Sequence, residues 1–198
     1  CQSSSQSDSV VSGLKQAFAS EADLTKTIVR MEETSQNGDG TAIESVYDIV
    51  WDDEEEPLGE GAGGIVRKAR HKATKEYFAV KCLEKGRIKT EQDLELLRNE
   101  VSIMCELDHP NIVRIEEVYE TPDMLYIVQD LCTGGELFDR LEDQSHFSEA
   151  QCAKLVKQML AAVCYLHKHG VVHRDLKLEN FLFLTPQESS ELVMIDFG

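Results

Sequence analysis

The sequence predicts an α+β fold in which a β-rich first half is followed by a helical second half. Short β-rich runs bounded by turn residues lie between residues 65 and 129, and apolar residues at helical spacing dominate residues 148–170. Hydrophobic residues make up 41% of the 198 residues, which is enough for a packed core. Because no run approaches the roughly 18 apolar residues of a membrane span, none is predicted.

Residues 1–46 are predicted to be an N-terminal extension, because they are rich in Ser, Thr, Gln and Glu. Two apolar stripes recur in it at helical spacing, but they are out of register, so one continuous helix is not expected. A solvated or partly helical extension and a helix docked on the following domain both remain open. The stripes consist of Val10, Val11, Leu14 and Phe18, and of Leu24, Ile28 and Met31.

The β-rich half predicts two pairs of strands. Residues 65–69 and 77–82 are predicted to form an antiparallel hairpin, since a polar stretch separates two β-rich runs. Residues 112–119 and 124–129 are predicted to be two further strands, joined by a turn at Thr121-Pro122-Asp123.

Capping residues and apolar spacing predict two main helices. The first covers residues 90–107, with Thr90 as N-cap. Asp93 lies three residues later, where a side chain can hydrogen-bond back to the N-cap main chain. The second begins at a capping-box pair, Ser148 and Gln151, and is closed by Gly170. Its buried stripe consists of Leu155, Met159, Val163 and Leu166.

The charge of the chain excludes one class of partner. The net charge is −17, and residues 1–60 hold 14 acidic and 3 basic residues. Nucleic acid is excluded because it needs a positive face, whereas basic peptides fit this balance. The acidic run at residues 52–56 lacks the spacing and the central glycine of a calcium loop, so it is interpreted as a solvated face.

The cysteines predict a reducing, cytoplasmic location. Six cysteines are scattered without a close pair, which fits neither zinc-ligand spacing nor a small disulfide scaffold. His167, His169 and His173 lie close in sequence, but no carboxylate or Cys completes a metal site with them. We therefore expect reduced thiols.

A glycine-rich turn at residues 59–64 predicts a loop that covers phosphates. Glycines let main-chain N–H groups approach phosphates because no side chain intervenes. A strand follows this turn rather than a helix, and no strand–helix–strand unit closes with an acidic residue near residue 85. A dinucleotide-binding fold is therefore excluded.

Lys81 and Glu100 are predicted to form an ion pair. Lys81 follows an apolar strand run, and Glu100 has apolar residues three and four positions away on its helix. A carboxylate on such a face is costly to bury unless it is paired. The pair would place the ammonium group on the α- and β-phosphates of ATP, whereas the alternative is an ordinary surface glutamate.

Asp175, Asn180 and Asp196 supply the remaining chemistry of the predicted site. Asp175 can accept the proton of an attacking hydroxyl, while Asn180 and Asp196 can hold two Mg²⁺ ions. Taken alone, Asp175 and Asp196 could be turn residues. Together with Lys81, Glu100 and the glycine turn, they predict transfer of the γ-phosphate of ATP.

Residues from about 55 to 198 resemble the catalytic domain of protein kinases. Three blocks carry the resemblance: residues 59–66, residues 173–180 and residues 196–198. The resemblance implies a bilobal fold: a small lobe at residues 47–131, with an antiparallel sheet and one helix, and the first part of a mainly helical large lobe at residues 132–198. Serine/threonine kinases carry a lysine at the position of Lys177, so phosphorylation of Ser or Thr is implied, with Lys177 steadying the transferring group. The resemblance also places His173 in an apolar stack with Met104, Ile115 and Phe197, so His173 is structural.

The resemblance further implies which residues bind ATP. Val66, Ala79 and Leu182 would sandwich adenine, and main-chain groups of Asp130 and Cys132 would pair with its edge. The full set of implied contacts is Leu58, Gly59, Glu60, Gly61, Ala62, Gly63, Gly64, Val66, Ala79, Lys81, Gln129, Asp130, Cys132, Glu136 and Leu182.

Residues 108–112 and 134–139 resemble the calcium/calmodulin-dependent group of kinases, particularly calcium-dependent protein kinases. Glu136 and Glu179 match acids of that group that receive a basic residue upstream of the target Ser or Thr, which implies basic substrates. The other interpretation of the two acids is a solvated position or a ribose contact. Regulation by calcium, through a sensor domain in a further part of the protein, is also implied.

Three positions depart from the pattern of the family. Gly63 replaces an aromatic residue at the tip of the phosphate loop, so this loop should cover the phosphates less well. Gln129 stands behind adenine where an apolar residue or Thr is common, and Leu178 replaces a proline. None of these changes removes a catalytic group, which disfavours a degenerate kinase.

We expect the natural chain to continue beyond Gly198. A protein that ended there would lack the activation loop and the peptide platform, so it would fold poorly and transfer phosphate very slowly. The alternative function is a truncated, non-catalytic module that binds nucleotide or a protein partner. A kinase of the cyclic-nucleotide-regulated type is a further alternative, because it shares the acids for basic substrates.

Overall fold

The computed structural model describes residues 28–29, 42–51, 56–61, 64–144 and 146–196. Within them a large sheet is followed by a mainly helical part with a small second sheet, which confirms the predicted α+β class. No helix in this part of the chain is long and apolar enough to cross a bilayer. The acidic residues 52–55 and all residues of the two N-terminal stripes except Ile28 fall outside the described residues.

Seven strands of the described residues form the large sheet. They are β1 (Ile28–Val29), β2 (Tyr47–Ile49), β3 (Gly59–Gly61), β4 (Gly64–His71), β5 (Tyr77–Glu84), β6 (Ile115–Glu120) and β7 (Met124–Asp130). The order across the sheet is β1–β6–β7–β5–β4–β2, and β3 pairs with β4. The pairings are antiparallel except that β1 runs parallel to β6.

The helices and a small second sheet complete the described fold. The helices are α1 (Ala42–Val46), α2 (Glu91–Cys105), α3 (Leu137–Gln144) and α4 (Glu149–Lys168). The second sheet is an antiparallel pair of β8 (Phe181–Phe183) and β9 (Leu192–Met194). This pair was not predicted, because each strand is only three residues long and lies in a half of the chain that otherwise has a helical pattern.

The predicted helix boundaries are confirmed by their caps. The hydroxyl oxygen of Thr90 accepts a hydrogen bond from the Asp93 N–H at 3.1 Å, so α2 begins where the sequence places it. Ser148 and Gln151 form the predicted capping box at the start of α4. Gly170 follows α4 with a φ of 72°, a left-handed conformation that favours glycine and ends the helix.

Two sequence-based expectations are wrong. Ile28 was placed on a helical stripe, but it lies in β1, whose main chain pairs with the edge of β6. Residues 112–114 were placed in the strand that became β6, but the Val113 N–H donates to the Met194 carbonyl oxygen at 2.9 Å. This segment therefore joins β9 and links the large sheet to the helical part.

The two faces of the large sheet are covered differently, because successive side chains of a strand point to opposite faces. The outer face is covered by α1 and β2, where buried Tyr47 contacts the rings of Phe78 and Tyr119. The inner face packs against α2 through buried Val101. Beyond α2, this inner face forms one wall of an open cleft.

A buried amide pair holds the helical part against the sheet. The Asn111 side chain donates to the Gln158 side chain at 2.9 Å and to the Leu192 carbonyl oxygen at 2.8 Å. The same Gln158 oxygen accepts the Leu192 N–H at 2.8 Å. These bonds join the segment after α2, helix α4 and strand β9, so the two walls of the cleft share a fixed base.

Candidate active site

A cleft of about 860 Å³ lies between the inner face of the large sheet and the segments around β8. Most of the residues that the sequence predicts for the site line this cleft. They are Leu58, Gly59, Glu60, Gly64, Val66, Ala79, Lys81, Gln129, Asp130, Cys132, Glu136, Asp175, Lys177, Glu179, Asn180, Leu182 and Asp196. Gly61 pairs with Gly64 at the end of the β3–β4 hairpin, and Ala62 and Gly63 lie outside the described residues.

The β3–β4 hairpin brings main chain over one end of the cleft. Its strands are held by pairs such as Gly59 with Val66, and the Leu58 N–H donates to the Val66 carbonyl oxygen at 2.9 Å. Gly64 has a φ of 106°, and an added Cβ would overlap the Cys82 carbonyl oxygen. Only glycine fits there, so the position needs its missing side chain for the close approach of β4 to β5.

The loop after α4 is fixed by a buried histidine. His173 is 2% exposed, accepts the Asp175 N–H at Nδ1 at 3.3 Å, and faces the Ile195 carbonyl oxygen from Nε2 at 3.0 Å. These partners assign the proton to Nε2. Arg174 between them has a φ of 68°, so its side chain leaves the loop in a direction that ordinary backbone does not allow. His173 thus positions Asp175 and the strand that ends before Asp196.

Asp175 lies between two polar partners that follow it in the loop. Its Oδ2 is 3.0 Å from Lys177 Nζ and 3.2 Å from Asn180 Nδ2, and Asn180 also donates to the Asp175 carbonyl oxygen at 2.7 Å. The Lys177 ammonium, and then the Asn180 amide, hold the pKa of the Asp175 carboxyl below its usual value. Asp175 is therefore an ionised carboxylate, exposed to the cleft, that can accept a proton.

Asp196 lies beside Asn180 at the end of the cleft floor. The Ile195 N–H donates to the Asn180 carbonyl oxygen at 2.9 Å, which fixes the start of this segment. The Oδ1 atom of Asp196 accepts a hydrogen bond from Lys81 Nζ at 2.6 Å. An ammonium group from the sheet therefore meets a carboxylate from the opposite wall.

The predicted ion pair between Lys81 and Glu100 is not among the contacts of the described residues. Lys81 pairs with Asp196, and Glu100 instead accepts a hydrogen bond from Arg174 at 2.9 Å. The prediction assumed a carboxylate buried against apolar neighbours, but the Glu100 side chain is 54% exposed. Since Glu100 precedes buried Val101, it lies beside the buried stripe of α2 rather than on it, and it needs no buried partner.

The predicted adenine pocket combines an apolar roof with polar groups. Val66 and Ala79 come from neighbouring strands, and Leu182 lies across the cleft in β8. Among the described residues, the Cys132 main chain makes no main-chain hydrogen bond, so its N–H and carbonyl groups are available to a ligand. Burial raises the pKa of the Cys132 thiol to about 11, so this side chain stays protonated near neutral pH.

Three acids line the outer mouth of the cleft on the large-lobe side. Glu136 is bridged to Leu182 by main-chain pairing, and Glu179 belongs to the 3-10 turn that precedes β8. Burial, and then the charges of Asp139 and Glu179, raise the pKa of Glu136. Asp139 was not predicted. Its spacing of three residues from Glu136, at the start of α3, is the signal that could have found it.

The residues that are present fit Mg-ATP. Among the described residues no group of three or more His, Cys, Asp or Glu side chains could hold a metal ion on its own. Asn180 and Asp196 nevertheless supply oxygen ligands, and Mg²⁺ is ordinarily bound by one or two carboxylates together with substrate phosphates and waters. Gly59 and Gly64 line the same cleft and leave main chain uncovered by side chains, as a phosphate site requires.

Comparison with known sequences agrees with this arrangement. The family model described as "Protein kinase domain" matches residues 53–198. The human calcium/calmodulin-dependent protein kinase type IV is 41% identical over 160 residues, covering 81% of this chain and 32% of that protein. The rat calcium/calmodulin-dependent protein kinase type 1B is 42% identical over 156 residues, covering 79% and 43%.

A plant relative shows the same level of similarity. Calcium-dependent protein kinase 24 of Arabidopsis thaliana is 43% identical over 160 residues, which covers 80% of this chain and 27% of that protein. The chain thus spans between 27% and 43% of the length of these three curated relatives.

Proposed function

The chain belongs to the protein kinase family, and on that premise we propose that its protein transfers the γ-phosphoryl group of ATP to Ser or Thr residues of other proteins. The observation that carries the proposal is the grouping of Asp175, Asn180 and Asp196 on the floor of one cleft, opposite Lys81. A base, two oxygen ligands and a phosphate-binding ammonium are the groups that phosphoryl transfer needs.

Each side chain has a defined role in this proposal. Asp175 orients the attacking hydroxyl and accepts its proton, because its carboxylate is ionised and exposed to the cleft. Lys177, already 3.0 Å from Asp175, steadies the transferring group from the substrate side. Asn180 and Asp196 hold Mg²⁺, which when bound neutralises charge on the phosphate oxygens.

The two ion pairs at the cleft must rearrange for catalysis. Lys81 is bonded to Oδ1 of Asp196, the proposed metal ligand, and Glu100 is held by Arg174. If Asp196 bound a metal ion instead, the Lys81 ammonium would lose this partner, and Glu100 would be the carboxylate that could replace it. The Arg174–Glu100 pair is exposed, and such pairs contribute only about 0–1 kcal/mol, so its exchange costs little.

The substrates are proposed to carry basic residues near the target Ser or Thr. Glu136, Glu179 and Asp139 together make the outer mouth of the cleft acidic, and the pKa of Glu136 shows that their charges act on one another. We also propose regulation by calcium, because all three relatives described above are named as calcium/calmodulin-dependent or calcium-dependent kinases.

Location and domain organisation complete the proposal. The five cysteines within the described residues are free thiols, as a reducing cytoplasm would keep them, so we place the protein there. We divide the chain into an extension at residues 1–46, a small lobe at residues 47–131 and the start of a large lobe at residues 132–198.

The test is phosphate transfer by the full-length protein to two Ser peptides that differ only in an upstream Arg or Glu. We expect MgATP-dependent phosphorylation of the Arg peptide, stimulated by Ca²⁺, and a rate about 10²–10⁴-fold lower from the Asp175→Asn variant. Equal phosphorylation of both peptides would exclude the acidic mouth as the specificity site. If wild-type protein binds ADP but transfers no phosphate under any condition, the non-catalytic binding module is the better description.

A further inference from the structure

We propose that the side-chain amide of Gln129 hydrogen-bonds the N6 and N7 atoms of adenine and thereby selects adenine nucleotides. The inference rests on the proposed function, because it concerns the nucleotide pocket of the same cleft. Gln129 is 9% exposed and lines this cleft. Among the described residues its amide has no hydrogen-bond partner, and its polar atoms are not among those fully cut off from solvent, so they can bond a ligand in the cleft.

The sheet register places Gln129 beside the predicted position of the base. Gln129 in β7 is directly opposite Ala79 in β5, so the two side chains lie on the same face of the sheet. Ala79 is part of the proposed roof over adenine, and the next residue, Asp130, supplies main chain to its edge. Gln129 thus lines the pocket between Ala79, which would cover adenine, and Asp130, which would meet its edge.

The chemistry of a primary amide matches this edge of adenine. Adenine presents an acceptor at N7 and an amino donor at N6, and a glutamine amide can bond both at once with its N–H₂ and C=O groups. Guanine presents two acceptors there, O6 and N7, so the amide oxygen would face another acceptor. An apolar side chain at this position would not distinguish adenine from guanine by hydrogen bonding.

A double-mutant-type thermodynamic cycle tests the contact, because it removes the Gln129 amide and the N7 atom of adenine separately and together. Equilibrium affinities for ADP and for 7-deaza-ADP, in which N7 is replaced by C–H, are measured by calorimetry on the full-length protein with Mg²⁺. The same pair of ligands is measured on Gln129→Met, which removes the amide at similar volume. Gln144→Met, on an exposed position at the end of α3, is the matched control.

We expect wild type and Gln144→Met to bind 7-deaza-ADP about tenfold more weakly than ADP, because the buried donor loses its acceptor. In Gln129→Met the two ligands should bind alike, and the preference for ADP over GDP should fall by a similar factor. These ratios report binding and do not depend on phosphate transfer.

Three outcomes would overturn the proposal. Equal affinities of wild type for ADP and 7-deaza-ADP would do so, and that comparison needs no variant to fold. Persistence of the preference in Gln129→Met would show that another group contacts N7. If wild type binds no ADP at all, the proposed nucleotide-binding function fails together with this inference. The first two outcomes, by contrast, overturn only the Gln129 contact and leave nucleotide binding in place.

Discussion

The loop at residues 173–180 and helix α2 both carry groups of the proposed site, but only the loop holds them in the arrangement that the proposed phosphoryl transfer needs. In the loop, Asp175 is bonded to Lys177 and to Asn180, the latter five positions away in the chain. In α2, Glu100 is bonded to Arg174, 74 positions away, instead of to the lysine that it should support.

The two regions differ in the number of contacts that hold their functional groups in place. The loop is held by the buried His173 ring, the left-handed Arg174 and the 3-10 turn Leu178–Asn180. Glu100 by contrast is held by an exposed ion pair with Arg174, and such a pair contributes little free energy. We infer that the floor of the cleft is ready for catalysis while α2 adjusts when ligands arrive.

The largest expected effect is on the fixed part. Asp175→Asn should lower kcat about 10²–10⁴-fold, because the amide can no longer accept the proton of the attacking hydroxyl. Steady-state phosphorylation by the full-length protein measures this loss. ADP affinity should stay unchanged, since Asn180 and Asp196 remain in place.

Asp143→Asn provides the control, because Asp143 is an exposed aspartate on α3 that is outside the cleft. A fall in kcat of less than fivefold for Asp175→Asn would mean that another group serves as the base. The loop at residues 173–180 would then not supply the base that the comparison with α2 assumes.

The packing beneath the loop should give the next largest effect. Gly134 pairs with β8 through its N–H, which donates to the Phe183 carbonyl oxygen at 2.9 Å. An added Cβ would overlap the Thr185 carbonyl oxygen, so main chain must shift. Gly134→Ala should therefore lower the free energy of unfolding by about 2–3 kcal/mol, measured by urea denaturation.

Gly86→Ala is the matched control, since a Cβ there meets nothing within 4 Å. If Gly134→Ala and Gly86→Ala unfold at the same urea concentration, the contact between the Gly134 segment and β8 is looser than the structure indicates. The arrangement of Asp175, Asn180 and Asp196 would then be stabilised by contacts within the loop and not by this packing.

Local patterns in the sequence predicted most of the fold and of the loop. Thr90 caps α2 and Ser148 caps α4 as predicted, because capping joins residues three positions apart. Asp175 and Asn180 meet for the same reason, since they are only five positions apart in the chain. Their proximity needs no knowledge of the rest of the fold.

Long-range features could not be predicted in this way. The partner of Glu100 depends on the rotation of α2 about its own axis and on where the fold places Arg174, 74 positions further along the chain. Apolar periodicity sets that rotation only to within the width of the buried stripe. The strand at Ile28–Val29 was missed because two residues paired to a sheet edge leave no periodic pattern.

Helix α2 offers a direct test of the movable part. Glu100→Gln should lower kcat/KM roughly ten- to a hundredfold, because no carboxylate can then hold Lys81 when Asp196 binds metal. Stability should hardly change, since the pair that is lost is exposed. Glu95→Gln, at an exposed position on the same helix, is the matched control and should behave as wild type.

An unchanged kcat/KM in Glu100→Gln, under conditions in which Asp175→Asn is inactive, would contradict the proposed exchange of partners. Lys81 would then act without a carboxylate from α2, and the difference between loop and helix would have no catalytic consequence.

The smallest expected effect is a shift of a pH profile, which sharpens the description of the loop. The Lys177 ammonium is the largest influence that lowers the pKa of the Asp175 carboxyl. Since Asp175 must be ionised to accept a proton, this ammonium keeps kcat/KM high toward acid pH. In Lys177→Met the pKa of Asp175 should rise toward its ordinary value, so the acid limb of the profile moves to higher pH.

The profile is measured for wild type, Lys177→Met and Lys154→Met, the last replacing an exposed lysine of α4. Lys177→Met should also lower the pH-independent rate, but that loss alone would fit any role in substrate binding. The displaced acid limb is specific to a charge acting on Asp175. If the limb stays in place, the short contact between Lys177 and Asp175 is not what keeps the base ionised, and Asn180, its other hydrogen-bond donor, becomes the residue to replace next.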